Sequence, residues 1–520
     1  MSGKTPRTGT LIRVYVSAVL LGLLTHFYML SHKLPNWDDI NNFDTPGVSR
    51  LYGRWFLDVL QPLSGSFSVP AVNGVLAIFF LGAAAVLLYR ILELRSLLSG
   101  VLLAAILMTF PSLASTMCFM FTVDLYAVGL VICLAGVLIL RCMKAKIPGL
   151  LLGILCFILT LGTYQSYICF AIALLVYCLM LDLLNGEELK TVFFSGLRYV
   201  AALFLSVLIY LPLSFRIEPE MRTEGQNGLE HLGSNLSPLI LLKQFGRTYK
   251  RVSEYFVLRP MSFVSGFLHV MMVIAVVFFG VMLVFAAKKK GLFKHPAKPA
   301  LLLVLTLLLP PALAFFYVMS PEANVSTLMY YQYCLPFLFL LPPAELNGGL
   351  KLPEGGAFAK YKLPHMLGYT VFAAVILVPI AWSHLVLTNQ AYLRMELAKE
   401  HVMAYYNRIL YTLEHTEGYS YGDQTAILGN YWADVHPAPI ESFHMDDRRF
   451  ADLSGISTEY GMLTSGVRKS FIKTYLGVDL NTPTGHQLAD TKEYREMPVY
   501  PAEGCVKKIN GVWVVRISSE

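Results

Sequence analysis

The first residues in the chain that could perform acid–base chemistry are two adjacent carboxylates, Asp38 and Asp39, which follow the first long apolar run. Two negative charges side by side repel each other, and nearby lipid lowers the local dielectric constant, so one of the two pKa values should be raised. A carboxylate of this kind can take a proton from a hydroxyl group such as that of a sugar. The alternative is that the pair only forms a turn or caps the next helix, and the dipeptide by itself leaves both interpretations open.

Basic side chains that could bind phosphate occur at two places. Arg54 lies in the sequence Leu-Tyr-Gly-Arg-Trp, where its guanidinium could bind phosphate through two hydrogen bonds or could anchor the loop by pairing with Asp58. Later, residues 239–256 carry apolar side chains along one helical face and basic side chains on the other. The basic residues include Arg247, Lys250 and Arg251. A basic amphipathic helix lies in a membrane interface, where it could hold the phosphate of a lipid carrier or simply bind bulk anionic lipid.

Other polar residues interrupt apolar runs and could bind sugar hydroxyls. Asp124 and Tyr126 begin one apolar run, and Tyr164 and Gln165 lie between two others. Ionisable residues inside membrane spans are costly and mark candidate functional sites. As alternatives, Asp124 could cap its helix, and the Tyr-Gln-Ser-Tyr sequence at 164–167 could form a hydrogen-bonding turn between helices.

The sequence contains no metal-ligand spacing, P-loop, dinucleotide fingerprint or Gly-x-Ser-x-Gly elbow. We therefore predict no metal site and no cofactor, and leave open a divalent cation at the acidic pair. An enzyme of this kind must draw its energy from a substrate that is already activated.

The elements that must position these residues are membrane helices. Of all residues, 56% are hydrophobic and 14% are charged, whereas a soluble domain has about 25% charged residues. Apolar windows of about 19 residues, long enough to cross a hydrocarbon layer about 30 Å thick, recur before residue 386. The net charge of +7 does not indicate nucleic acid as a partner, because the basic residues lie mainly in short loops between apolar segments. The predicted partner of the apolar segments is the lipid bilayer.

We predict eleven transmembrane spans. They lie at residues 11–31, 71–89, 96–114, 120–140, 148–164, 166–184, 195–215, 262–287, 299–319, 328–345 and 365–386. Lys- and Arg-containing loops alternate with short loops that lack these residues, which places the N-terminus in the cytoplasm and the chain after the last span outside. The long loops 32–70 and 216–261 fall on the same outer side, where loops of this length usually have a function.

Two domains are predicted: a transmembrane domain, residues 1–386, and a soluble periplasmic domain, residues 387–520. Residues 389–415 have the apolar spacing of an amphipathic helix. Residues 506–517 have the pattern of two strands around Asn510-Gly511, the pair favoured in type I′ hairpin turns. The predicted fold is therefore mainly α, a polytopic transmembrane helical bundle with a small α/β domain at the C-terminus.

Several of these short sequences, in their order along the chain, resemble the bacterial type II glucosyltransferase family. This family includes the serotype-converting O-antigen glucosyltransferases and belongs to the GT-C class. The resemblance is carried by Asn36-Trp-Asp-Asp39, Tyr52-Gly-Arg-Trp55, Asp124, Leu161-Gly-Thr-Tyr-Gln-Ser166 and Pro498-Val-Tyr-Pro-Ala-Glu-Gly504. It implies a GT-C-like fold in the bacterial inner membrane.

The resemblance also implies an activity: transfer of glucose, or a related hexose, from an undecaprenyl-phosphate carrier to a surface polysaccharide acceptor, such as the O-antigen of lipopolysaccharide, on the periplasmic side. In GT-C enzymes an acidic residue of the first outer loop usually serves as the base, which matches Asp38 or Asp39. The role of the C-terminal domain is not implied.

The residues are consistent with this chemistry. A base would deprotonate the acceptor, and cations would hold the phosphate leaving group. The candidate cations are Arg54, Arg247, Lys250 and Arg251, and the candidate sugar-binding residues are Asp124, Tyr126, Tyr164 and Gln165. A single displacement would invert the anomeric configuration. The competing hypotheses are a transporter or flippase for a lipid-linked glycan, which the lack of an internal repeat disfavours, and a polysaccharide polymerase or ligase.

Overall fold

The structure is a computed structural model. It describes residues 7–43, 52–64, 67–143, 145–220, 238–258, 260–319, 325–348, 368–429, 447–456, 459–483 and 487–518. Much of the second long loop predicted from the sequence, residues 221–237, lies outside the described residues.

The described chain is mainly helical. Its helices are α1 (Thr8–Ser31), α2 (Trp37–Asn41), α3 (Phe56–Leu60), α4 (Pro70–Ile91), α5 (Leu97–Thr109), α6 (Pro111–Met117), α7 (Val123–Cys142), α8 (Lys146–Leu161), α9 (Ile168–Leu184), α10 (Leu189–Ile217), α11 (Pro238–Ser253), α12 (Gly266–Lys289), α13 (Ala297–Leu313), α14 (Phe316–Met319), α15 (Leu335–Phe339), α16 (Leu341–Asn347), α17 (Gly368–Glu414), α18 (Glu459–Leu463), α19 (Ser465–Phe471) and α20 (Lys492–Arg495). The strands are β1 (Thr425–Leu428), β2 (Val506–Ile509) and β3 (Val512–Arg516).

Within the described residues, seven helices are long and apolar enough to cross a membrane. They are α1, α4, α7, α9 with the turn before it, α10, α12 and α17. The pair α5 and α6, bent by 50°, adds an eighth if the two helices form one span. The break follows from Pro111, because the residue before a proline disfavours helical backbone angles. The prediction of a polytopic helical membrane protein is therefore confirmed.

The predicted number of eleven spans is not confirmed. Two of the expected spans correspond to the shorter apolar helices α8 and α13. A third, residues 328–345, is divided among a 3₁₀ segment, α15 and α16. Pro336 lies in the first turn of α15 and Pro342 in the first turn of α16, where proline starts a new helix readily but cannot continue the preceding one. Hydropathy alone does not register these interruptions.

The C-terminal region begins within a continuous helix. The 47-residue α17 contains residues 368–386 of the last predicted span and residues 389–414 of the predicted amphipathic helix, and the predicted domain boundary at 386 falls inside it. Residues 365–367 lie outside the described residues. The three-stranded sheet has the order β1-β3-β2, with β1 parallel and β2 antiparallel to β3. The predicted hairpin turn is confirmed: Asn510 and Gly511 both have positive φ, at 49° and 83°, as a type I′ turn requires.

Apolar residues form one large cluster in the helical bundle and smaller clusters around the second half of α17 and the sheet. Ile40 of the short helix α2 belongs to the second cluster, together with residues such as Val402 and Phe471. The helix that carries the acidic pair is therefore packed against the C-terminal region as well as next to the bundle.

Candidate active site

The short helix α2 carries the acidic pair in its first turn. The side-chain oxygen of Asn36 caps this helix, since it accepts hydrogen bonds from the backbone N–H groups of Asp38, at 3.0 Å, and Asp39, at 3.3 Å. Asparagine is among the preferred residues for this position. The two carboxylates are therefore held on a capped helical turn and do not themselves provide this cap.

The two carboxylates have different surroundings. Asp39 is 1% exposed and accepts hydrogen bonds from the Lys33 ammonium, the Ser68 hydroxyl and the backbone N–H of Phe121, the last at 3.1 Å. Asp38 is exposed. Partial desolvation and the charge of Asp39 raise the pKa of Asp38, while the nearby Arg54 guanidinium opposes the shift. Asp38 is thus the more accessible of the two carboxylates.

The Arg54 guanidinium lies in a pocket of aromatic and amide side chains. It donates hydrogen bonds to the Tyr126 hydroxyl at 2.9 Å and to the Gln165 side-chain oxygen at 3.4 Å. Its central carbon lies 4.9 Å from the ring centres of both Tyr52 and Tyr164, within the range of cation–π attraction. These contacts bring together residues that the sequence analysis selected separately, and they fix the direction of the guanidinium.

The backbone beside Arg54 is held by the end of α10. Gly53 has a φ of 67°, a left-handed conformation that favours glycine. Its carbonyl accepts a hydrogen bond from the Tyr210 hydroxyl at 2.9 Å, and its N–H donates to the Glu218 carboxylate at 2.8 Å. Burial, aided by the charge of Asp58, raises the pKa of Glu218 to about 7, although the Gly53 N–H opposes the shift. This turn positions Arg54 against a membrane helix.

Asp124 lies beside this site but is inaccessible. Its carboxylate is fully buried in the first turn of α7, where one oxygen accepts a hydrogen bond from the Asn73 amide at 3.3 Å. Tyr126 and Tyr164 are also buried, at 5% and 2% exposure, whereas Gln165 is half-buried. Of the four predicted sugar-binding residues, Gln165 is therefore the one best placed to touch a ligand in this conformation.

The other basic group lies on α11. The Arg247 guanidinium stacks 4.7 Å from the ring centre of Tyr317, Lys250 is exposed, and the exposed Arg251 pairs with Glu254 at 3.2 Å. The amphipathic helix predicted from the sequence is confirmed over 238–253.

Two cavities are lined in part by residues of α11. The polar one, of about 240 Å³, is lined by Arg251, Glu254, Tyr255, Tyr330, Tyr333 and Asp452, among others. The apolar one, of about 250 Å³, is lined by residues of α11 to α13 and α15, among them Val252, Phe256, Phe279, Leu309 and Phe337. The same helix therefore borders one cavity with charged side chains and one apolar cavity.

The two basic groups are separate. Five ring-to-ring contacts, with centres 5.0 to 6.5 Å apart, lead from the Arg54 pocket to the polar cavity. The rings belong to Tyr164, Tyr167, Phe170, Tyr331, Phe110 and Tyr255. The contacts therefore join Arg54 with Tyr126, Tyr164 and Gln165 and place Asp38 within range of its charge, whereas Arg247, Lys250 and Arg251 lie on α11.

Sequence reasoning assigned no role to several residues that shape this site. Asn36 had a usable signal, because an asparagine followed by acidic residues is typical of a helix N-terminus. No such signal exists in the sequence for Lys33, Ser68 and Tyr210. Each forms a hydrogen bond with a residue that is distant in sequence or lies in a neighbouring turn. Among the described residues, no group of three or more His, Cys, Asp or Glu side chains is placed to hold a metal ion.

Comparison with known proteins identifies the bundle. Residues 27–341, more than half of the chain, match the family model described as Glucosyl transferase GtrII. The matched region contains α2, the Arg54 pocket and α11, and ends before α17. No significant match exists among curated protein sequences or among solved structures.

Proposed function

We propose that this chain, which belongs to the GtrII glucosyl transferase family, transfers glucose or a related hexose from an undecaprenyl-phosphate-linked donor to a surface polysaccharide, such as the O-antigen of lipopolysaccharide. The observation that carries the proposal is that an accessible carboxylate, Asp38, lies within range of the charge of Arg54, whose guanidinium is oriented by Tyr126 and Gln165. A lipid-anchored phosphate presents its charge at the membrane surface, and the chain has no motif for a nucleotide donor.

In this mechanism Asp38 is the general base. It takes the proton of an acceptor hydroxyl as that oxygen forms a bond to the anomeric carbon of the donor sugar. The bond from that carbon to the phosphate oxygen breaks, and its electron pair leaves with undecaprenyl phosphate. One displacement inverts the anomeric configuration. The raised pKa of Asp38 makes it a stronger base than an ordinary aspartate, and Asp39, fully hydrogen-bonded, supports α2.

The two basic groups have different roles in this proposal. Arg54 neutralises charge that develops on the leaving phosphate, because its guanidinium is fixed near Asp38. Arg247, Lys250 and Arg251 recruit the lipid carrier at the interface, and the apolar cavity beside α11 accepts part of its hydrocarbon chain. Gln165 binds sugar hydroxyls, and Tyr126, Tyr164 and Asp124 support the wall behind it. A divalent cation is not required.

The proposed location is the bacterial inner membrane, with the N-terminus in the cytoplasm. This orientation follows from the distribution of Lys and Arg in the loops. The Asp38 site and residues 387–520 then face the periplasm, where a surface polysaccharide would be available as acceptor.

The test is transfer by the purified protein in lipid nanodiscs. Radiolabelled undecaprenyl-phosphate-glucose is incubated with a panel of bacterial surface polysaccharides, and label in the polysaccharide is followed over time. We expect labelled polysaccharide, release of undecaprenyl phosphate and a new linkage of inverted configuration by NMR. Movement of lipid-linked glycan across proteoliposomes without a covalent product would instead support a transporter, and transfer of whole glycan chains would support a polymerase or ligase.

A further inference from the structure

The segment Asp447–Ile456, here called the docking segment, joins the C-terminal region to the helical bundle. The Asp452 carboxylate accepts a hydrogen bond from the Ser262 N–H at 2.7 Å. The backbone carbonyl of Asp452 accepts a hydrogen bond from the Thr327 hydroxyl. The Thr327 N–H donates to the Ser454 hydroxyl at 3.0 Å. The apolar side chains of the docking segment belong to the core of the bundle; they are Phe450, Leu453 and Ile456. The docking segment is therefore firmly attached at its middle.

Gly455 in this segment makes a close approach that only glycine permits. Its φ is 84°, and an added Cβ would lie 2.8 Å from a ring carbon of Phe119 and 3.0 Å from the Cβ of Cys118. Its carbonyl accepts a hydrogen bond from the side-chain amide of Asn36 at 2.9 Å. The docking segment thus reaches the loop that carries the acidic pair.

Asn36 connects the two regions through one side chain. Its oxygen caps α2 at Asp38 and Asp39, while its nitrogen binds the Gly455 carbonyl. The side chain is fully buried, so water cannot replace either interaction. An ionised aspartate would serve equally well as a cap, but it has no hydrogen to donate to Gly455. A serine would also cap the helix, but its side chain is one bond shorter, so its hydroxyl does not reach the position from which the Asn36 nitrogen donates. The contact with Gly455 therefore gives this position a requirement for asparagine beyond capping.

The docking segment also touches the second basic group. Asp452 lines the polar cavity beside Arg251. It is three residues from Gly455, and three residues span at most about 11 Å. One short piece of chain therefore connects the polar cavity beside Arg251, a residue proposed to recruit the lipid carrier, with the helix that carries the proposed base.

We propose that Asn36 and Gly455 are positioning residues, through which the C-terminal region sets the orientation of α2 and hence the direction of Asp38 toward Arg54. This inference rests on the proposed function of Asp38 as base. The C-terminal region is then part of the active-site structure and not an independent module. Two further contacts also connect α2 and the residues before it to the C-terminal region. Ile40 packs in the apolar cluster around the second half of α17, and the Tyr475 hydroxyl donates a hydrogen bond to the Lys33 carbonyl at 3.4 Å.

The experiment compares two variants and a matched control in the full-length protein. Asn36→Ser keeps a capping oxygen, but its shorter side chain leaves the hydroxyl out of reach of the Gly455 carbonyl. Gly455→Ala places a methyl group where Phe119 and Cys118 leave no room. Gly466→Ala is the control, because a Cβ there meets no atom within 4 Å. Each is assayed with undecaprenyl-phosphate-glucose and the polysaccharide that the wild-type protein accepts, across a range of pH.

For Asn36→Ser and Gly455→Ala we expect kcat to fall about 10- to 100-fold with the donor KM nearly unchanged, since a displacement of about 1 Å has effects of this size. The acid limb of the pH profile should move to higher pH, because Asp38 turned away from Arg54 loses the charge that lowers its pKa. The double variant should be little worse than either single variant, because both remove the same contact. Gly466→Ala should behave as wild type.

Two results would overturn this inference. In one, both variants turn over at the wild-type rate. In the other, the loss of kcat matches the loss of folded protein in thermal unfolding and the acid limb does not move, which would assign the two residues a purely structural role. If the wild-type protein transfers no hexose, the proposed function itself has failed, and this result is distinct from the two results above.

Discussion

The two basic regions of this protein differ in how firmly their charges are held. Arg54 is half-buried, hydrogen-bonded to Tyr126 and Gln165 and flanked by aromatic rings. On α11, Lys250 and Arg251 are exposed on the face of an amphipathic helix. A charge fixed in advance can stabilise a transition state without reorganisation, whereas exposed charges are screened by salt and mainly attract a ligand. We therefore expect Arg54 to affect kcat and the basic residues of α11 to affect KM.

The largest expected effect is that of Asp38→Asn, which removes the proposed base of the Arg54 region. Transfer should fall about 10²- to 10⁴-fold, the usual contribution of a general base, with the melting temperature close to wild type because Asp38 is exposed. The measurement is radiolabel transfer by the purified variant in nanodiscs.

The matched variant is Asp39→Asn. It should lower the melting temperature, because Lys33 then loses its buried partner, and the folded fraction should retain more activity than Asp38→Asn. Wild-type turnover by Asp38→Asn would remove that residue from the mechanism, and greater loss in folded Asp39→Asn would transfer the role of base to Asp39.

The next largest effect is expected from Arg54→Gln. Loss of one fixed donor at developing charge costs about 10²- to 10³-fold in kcat. The variant also removes a cation that lowers the pKa of Asp38. Because a base works only when it is deprotonated, the acid limb of kcat against pH should move to higher pH. Arg54→Lys, which keeps the charge but loses the planar fork, should leave kcat low and move the limb less. If the acid limb of kcat against pH does not move in Arg54→Gln, the charge of Arg54 does not lower the pKa of Asp38.

A smaller effect on a different parameter is expected for the triple variant Arg247→Gln, Lys250→Gln and Arg251→Gln. The donor KM should rise about tenfold in anionic vesicles, since each basic residue near such a surface contributes about 1 kcal/mol or less, while kcat stays within about twofold. High salt should reduce the difference. Lys492→Gln, at an exposed lysine of the C-terminal region, is the control. A fall in kcat with constant KM would contradict the division of roles between the two regions.

The smallest effect concerns stability through Glu218. Its pKa is raised from 4.5 to about 7 in the folded protein, so the folded state binds more protons than the unfolded state between these values. Stability should therefore fall as pH rises through this window. Glu218→Gln can still accept the hydrogen bond from the Gly53 N–H, but it has no carboxylate to titrate. The loss of stability with rising pH should therefore be smaller, and the variant should melt about 2 °C higher than wild type near pH 8. If the melting temperatures of both proteins change in parallel from pH 4 to pH 8, the pKa of Glu218 is not raised in the folded protein.

Local patterns were reliable where the structure depends on neighbouring residues. The Asn510-Gly511 hairpin and the basic helix α11 both follow from a few adjacent side chains. The span number was not confirmed, because prolines divide the chain near 328–345 into short helices while mean hydropathy stays high. The expected amphipathic helix after residue 389 exists, but as the continuation of α17.

For the candidate site, residue types indicated which side chains could act, and tertiary contacts decided which of them meet. Asp38 and Asp39 are equivalent in sequence, yet the distant Ser68 hydroxyl and Phe121 N–H help to bury one and leave the other exposed. The Asn36–Gly455 contact joins residues 419 positions apart, and no local pattern points to it.

The membrane helices and the polar residues near their ends are legible in the amino-acid sequence alone, because hydropathy, charge distribution and turn preference act over a few residues. The tertiary structure alone decided which carboxylate is accessible, which guanidinium is fixed in an aromatic pocket, and that the C-terminal region reaches the acidic helix. Burial and hydrogen bonding depend on which distant segments pack together, and that information is spread over the whole chain.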